Sequence, residues 1–227
     1  MSAMFRVKIC GITTVDDARQ AVDAGADAIG LNFYANSPRC VSIDAAREIA
    51  DAVRDAALVV GVFVNESPTG MMGIATEVGL GALQVHGDEP PELLARLPDR
   101  PLIRVRRIDQ QGVAAVAADL AACRAAGRAP QAVLVDAAAA PGQYGGTGHA
   151  IPWELLADHD AALGETPLIL AGGLKPDNVA AAIRAVRPAG VDTASGVESA
   201  PGKKDPQKVA AFVAAARAAL TEVGQAF

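Results

Sequence analysis

The stretch Arg6-Val7-Lys8-Ile9-Cys10-Gly11-Ile12-Thr13-Thr14 decides how the chain is read. A short apolar run ends in a turn with one glycine, and Thr14 followed by Asp17 then gives the capping-box-like spacing of a helix start. An open dinucleotide-binding sheet would carry G-x-G-x-x-G at this first turn, so that reading is set aside. Working outward, the same unit recurs to the end of the chain. Strand-like runs lie at 6–10, 28–33, 58–64, 81–85, 101–106, 132–136, 167–171 and 190–194. Helical stretches follow them at 15–25, 44–56, 68–79, 90–97, 111–126, 152–158, 176–186 and 205–221. Pro176 and Pro206 suit first-turn positions, and Gly25, Gly79 and Gly127 fall where helices should stop. Each unit, at about 28 residues, is long enough for a right-handed βαβ crossover. Eight units with no Ser/Gly-rich linker between them predict one α/β domain over 1–227, a closed (β/α)8 TIM barrel.

Composition agrees with that reading. Apolar residues make up 51% of the 227, enough for a large core, but aromatics are only 4%, so the core must be built from Ala, Val, Leu and Ile. Such side chains suit helices packed closely on a buried parallel sheet. The net charge of −6 argues against non-specific nucleic-acid binding, which needs a basic face to displace counterions. Cys10, Cys40 and Cys123 are odd in number and match no zinc-site spacing, so neither a disulfide framework nor a metal is expected, and a reducing compartment is. Arg6 and Lys8 interrupt the apolar run that a signal peptide would need, and no apolar stretch nears the roughly 18 residues required to span a bilayer. The expectation is a soluble cytoplasmic protein, with no membrane or nucleic-acid partner.

In such a barrel the chemistry sits at the carboxyl ends of the strands. Those ends offer Cys10, Asn32 and Phe33, Asn65, Gln84 to His86, Arg104 and Arg106, Asp136, Gly172 and Gly173, then Ser195 and Gly196. The last two turns, Ala171-Gly172-Gly173-Leu174 and Ser195-Gly196-Val197-Glu198, suit a phosphate, because glycines let backbone N–H groups approach an anion and these are the loops where this fold usually binds one. Cys10 and Asp136 are the reactive candidates. A carboxyl ending an apolar run should be harder to ionise, and a thiol near a positive charge can act as a base, so the pair suggests proton shuttling and hence isomerisation. Taken alone, Cys10 reads equally as a small buried hydrophobe and Asp136 as a turn or helix cap. Arg39, in the rigid turn Ser37-Pro38-Arg39-Cys40, is either a bidentate carboxylate clamp or a solvated surface arginine. His86 either lines the mouth or caps the helix after it. Cys40 and Cys123 are read as structural. The Gly/Ala-rich stretch 137–151 is the longest irregular segment and is a candidate lid or binding loop.

Seven stretches together resemble phosphoribosylanthranilate isomerase of tryptophan biosynthesis: KICGIT (8–13), GLNFYANSPRCV (30–41), VGVFVN (60–65), QVHGDE (84–89), GGTG (145–148), LAGGLKPDNV (170–179) and SGVESAPGKKDPQKV (195–209). They run in order from the first strand to the last helix. The resemblance implies an Amadori rearrangement of N-(5'-phosphoribosyl)anthranilate to 1-(2-carboxyphenylamino)-1-deoxyribulose 5-phosphate. It implies Asp136 as general acid and Cys10 as general base. It further implies Arg39 on the anthranilate carboxylate, the Gly172–Gly173 and Ser195–Gly196 backbones on the phosphate, and Asp192 and His86 near the sugar or shaping the mouth. It implies no metal and no organic cofactor, and a monomer or homodimer. The alternatives are a related phosphosugar isomerase of histidine biosynthesis or a bifunctional form, a Schiff-base lyase using Lys8, and a non-catalytic phosphosugar-binding protein.

Overall fold

The computed structural model describes residues 4–108, 112–137 and 152–224. Eight parallel strands close into one barrel in chain order, β8 pairing back onto β1. They are β1 (Val7–Cys10), β2 (Ala28–Asn32), β3 (Leu58–Phe63), β4 (Ala82–Val85), β5 (Leu102–Ile108), β6 (Ala132–Ala137), β7 (Leu168–Leu170) and β8 (Gly190–Thr193). Each expected strand is present within two residues of its predicted ends.

The helices are α1 (Val15–Asp23), α2 (Ile43–Val53), α3 (Pro68–Val78), α4 (Pro91–Leu94), α5 (Val113–Ala125), α6 (His159–Leu163), α7 (Val179–Val186) and α8 (Pro206–Gly224). Their starts are encoded locally. Thr14, Ser42 and Ser67 each accept a hydrogen bond from the backbone N–H three residues on, which satisfies a donor the helix itself leaves open. Several details differ from expectation, and the helix expected at 90–97 is reduced to the single turn of α4, Pro91–Leu94. The chain at 175–178 makes a turn rather than the first turn of α7, because Asn178 Oδ1 accepts from Lys175 N at 2.8 Å and its Nδ2 donates to Gly173 O at 3.0 Å. The single short helix expected at 152–158 is a 3-10 turn, Trp153–Leu156, followed by α6. A small antiparallel hairpin, β9 (Glu198–Ala200) and β10 (Lys203–Lys204), leads into α8 and was not anticipated.

Strand alternation sorts the core into two layers. Val7, Ile9, Ile29, Leu31, Val59, Leu83, Val133 and Val135 face the helices within the larger cluster. Ala28, Val60, Ala82, Ile103, Val105, Ala132, Leu134, Ile169 and Ala171 fill the barrel, with Phe5 among them. Phe5 is the one aromatic of this inner cluster, as the aromatic-poor composition requires. The same alternation carries Lys8, Cys10, Asp136 and Asp192 toward the axis. It corrects the reading of β5. Arg104 and Arg106 point out of the barrel toward α5, where Asp119 takes Arg104 Nε at 3.0 Å and also binds Arg106. The interior position at the end of β5 belongs to Arg107, the register partner of Asp136. The cysteines are unpaired, with Cys10 and Cys123 buried and Cys40 exposed. Among the described residues no helix is long and apolar enough to cross a membrane. The GGTG stretch and most of the 137–151 segment lie outside the described residues.

Candidate active site

One cavity of about 690 Å³, its open mouth included, lies at the carboxyl end of the barrel. Its lining includes Cys10, Arg39, His86, Asp136, Gly172, Gly173, Asp192 and Ser195. Eight of the nine site residues expected from sequence therefore border one cavity. Gly196 stands just outside it, where a Cβ would meet Leu174 O at 1.9 Å, so its lack of a side chain lets the β7 and β8 loops touch. Gly172 and Gly173 have φ of +79° and +65°, two successive left-handed residues that only glycine adopts readily. They leave the loop backbone bare where it borders the cavity.

Cys10 ends β1 and is buried. Burial pushes its thiol above the usual range, although Lys8 and Lys204 pull it the other way. Beneath it, Lys8 is fully buried and donates to Asp192 Oδ1 at 2.8 Å. Burial opposes the charge on Lys8, yet Asp192 and Cys10 raise its proton affinity above the ordinary lysine value. Asp136 is the penultimate residue of β6, and its Oδ2 is 3.6 Å from His86 Nε2. The turn carrying His86 is braced by Glu89, whose Oε1 accepts from Asn65 N at 2.9 Å and Gly87 N at 3.0 Å. Gln84 Oε1 and His86 Nε2 are buried without a hydrogen-bond partner, and both residues line the cavity. Such atoms are costly unless something polar meets them. A ligand hydroxyl could donate to Gln84 Oε1 and meet His86 Nε2.

Arg39 is held by the rigid turn that its sequence suggests, its N–H donating to Ser37 Oγ at 3.1 Å. Its guanidinium is not a free surface group. Nε and Nη2 donate to Glu198 Oε1 and Oε2, both at 2.7 Å, which raises the proton affinity of Arg39 further. The Nε–Nη2 edge is therefore taken by Glu198. Among the described residues no group of three or more His, Cys, Asp or Glu is arranged to hold a metal ion.

The family model for N-(5'-phosphoribosyl)anthranilate isomerase matches residues 7–215. The chain belongs to the N-(5'-phosphoribosyl)anthranilate isomerase family. It is 46% identical over 214 residues to the isomerase of that name from Neisseria gonorrhoeae, covering 93% of this chain and 96% of the relative. Its fold is similar to phosphoribosyl anthranilate isomerase from Thermotoga maritima, with a TM-score of 0.82, 36% identity and coverage of 95% of this chain and 100% of the other. It is also similar, at a TM-score of 0.78, 36% identity and the same coverage, to the isomerase solved with reduced 1-(o-carboxyphenylamino)-1-deoxyribulose 5-phosphate.

Within this isomerase barrel, sequence reasoning passed over Glu198 and Lys204. Both lie in the SGVESAPGKKD stretch, on the unanticipated hairpin. Lys204 Nζ donates to Glu198 Oε1 at 3.0 Å and to Ala194 O at 3.1 Å, linking Arg39 to the loop after β8. Burial lowers the proton affinity of Lys204, whereas Arg39 and Lys204 together hold the Glu198 carboxyl below its usual range against the opposing effect of burial. Opposite charges on either side of the Pro201-Gly202 turn, Glu198 before it and Lys203-Lys204 after it, are the signal that was available.

Proposed function

We propose that this isomerase converts N-(5'-phosphoribosyl)anthranilate to 1-(2-carboxyphenylamino)-1-deoxyribulose 5-phosphate with Asp136 as general acid and Cys10 as general base. The observation that supports this most is positional. A thiol on β1 and a carboxyl on β6 border one cavity, and the bare loops after β7 and β8 lie between them in the strand order. A phosphate on the Gly172–Gly173 and Ser195 backbones would place the attached sugar between the two groups.

Protonated Asp136 gives its proton to the furanose ring oxygen, the C1–O bond breaks, and the anthranilate nitrogen lone pair forms the C=N bond. Thiolate Cys10 then takes the C2 proton, made acidic by that iminium. The C2–H electrons become the C1–C2 double bond, and the C=N π pair returns to nitrogen. Ketonisation of the enolamine releases the O2 proton and adds one at C1, so the overall reaction consumes no proton. Splitting the work between two positioned groups contributes a factor of about 10²–10⁴ for each.

Arg39 meets the anthranilate carboxylate through its end-on edge, and Gln84 and His86 meet sugar hydroxyls. Asp192 acts through Lys8 rather than as a bare carboxylate. The test is to generate the substrate in situ and follow its fluorescence with purified protein. Loss of signal dependent on the protein supports the assignment, and no loss with a folded protein rejects it.

A further inference from the structure

An ammonium inside a barrel is costly unless it is paired, and Lys8 is fully buried. Its partner Asp192 is also its register partner across the β1–β8 seam, with Nζ to Oδ1 at 2.8 Å. A simple strap between strands would end there. However, Cys10 lies two residues further along the same face of β1, and the charge of Lys8 acts on its thiol. Gly30 of β2, the register partner of Cys10, keeps this corner open, since a Cβ there would stand 2.7 Å from Cys10 Sγ and 3.2 Å from Lys8 Cε.

The charged groups that act on the thiol come from several elements. Lys8 rises from β1, Asp192 from β8, Arg39 from the loop after β2 and Lys204 from β10. Glu198 of β9 holds Arg39 and Lys204, and His86 and Asp136 stand on other walls of the same cavity. On the Cys10 side, the cations Lys8, Arg39 and Lys204 gather with the carboxylates of Asp192 and Glu198, and Asp17 of α1 accepts from Lys204 N at 3.3 Å.

We infer that Lys8 is a positioning residue of the reaction, its ammonium stabilising the Cys10 thiolate while Asp192 keeps that ammonium charged and competes for it. The inference deepens the assignment of Cys10 as base and rests on it. In the base step the C2 proton forms the S–H bond and Lys8 keeps its own protons throughout, so no Schiff base on Lys8 is involved.

The decisive experiment removes the two charges one at a time. Lys8→Met, Lys8→Arg and Asp192→Asn are made in a Cys40→Ser background, and the rate of Cys10 alkylation by iodoacetamide is followed against pH, with the modified residue assigned by mass. Lys8→Met should move the titration midpoint upward by about one pH unit or more, a tenfold loss of alkylation rate on its acidic side. Asp192→Asn should move it downward, because Lys8 then has the thiolate as its main counterion. Lys8→Arg should stay near the parent. A general loosening of the barrel cannot shift the midpoint in opposite directions. Shifts in the same direction, or none, overturn the inference. If Lys8→Met does not fold, a downward shift in Asp192→Asn still supports it, and an unmoved or raised midpoint rejects it. The acidic limb of kcat/KM is measured alongside. Opposite midpoint shifts with an unmoved limb would keep the Lys8–Cys10 coupling and remove Cys10 from the role of base.

Discussion

Arg39 and Glu198 form a two-point ion pair, Nε to Oε1 and Nη2 to Oε2 each at 2.7 Å, that locks the loop after β2 to the hairpin after β8. The pair fixes where the remaining edge of the guanidinium points. Glu198→Gln keeps the shape but weakens both charge-assisted bonds. KM for the substrate should rise by about tenfold, with a smaller change in kcat, because the grip on the carboxylate is felt in ground state and transition state alike. Steady-state kinetics decide this, and a loss confined to kcat would contradict it.

The same carboxyl makes stability depend on pH in a defined direction. Burial alone would raise the proton affinity of Glu198, but Arg39 and Lys204 hold it below the usual range. A lowered carboxyl contributes stability that is complete above its unfolded-state value and is lost as pH falls through the folded-state value. In thermal melts from pH 7 to pH 3, the wild type should therefore lose its advantage over Glu198→Gln progressively on the acidic side. A gap that stays constant over that range would count against the pairing.

Cys10 should carry the base function. Burial pushes its thiol above the usual range, so the thiolate fraction grows as pH rises through and beyond neutrality. kcat/KM should rise with pH on that limb. Cys10→Ser should lower kcat by about 10²–10⁴ with little change in binding. Near-full activity of Cys10→Ser across pH would remove the assignment.

Arg104 tests the outer layer separately from the chemistry. Its side chain is fully buried and depends on Asp119 of α5, with further support from Glu89 O at 2.8 Å. Asp119→Ala leaves the buried guanidinium with Glu89 Oε2, at 3.9 Å, as its remaining counterion and should cost about 3 kcal/mol of stability. Denaturant unfolding measures the loss, and the folded fraction should retain its kcat.

Much of this was legible because the period-two and period-3.6 patterns are strong and the turn residues agree with them. The eight strands and the capped start at Thr14 follow from local chemistry. Cys10, His86 and Asp136 were legible as strand-end residues and Arg39 from its Ser-Pro-Arg-Cys turn, and the fold brings them to one cavity. What failed was orientation and small structure. Arg104 and Arg106 were taken as mouth residues, yet Ile103 and Val105 claim the interior face of β5, which leaves the arginines outside with Asp119. The β9–β10 hairpin is too short to show a period, so the roles of Glu198 and Lys204 emerged only from their contacts. The Lys8–Asp192 pair joins positions 184 residues apart, which no local pattern reveals.

The most direct test follows the fluorescence of N-(5'-phosphoribosyl)anthranilate, made in situ, with wild-type protein beside Asp136→Asn. The account predicts rapid loss with the wild type and a kcat about 10²–10⁴ lower in the variant at nearly unchanged KM. Equal rates with both proteins would contradict the assignment of Asp136 as the acid.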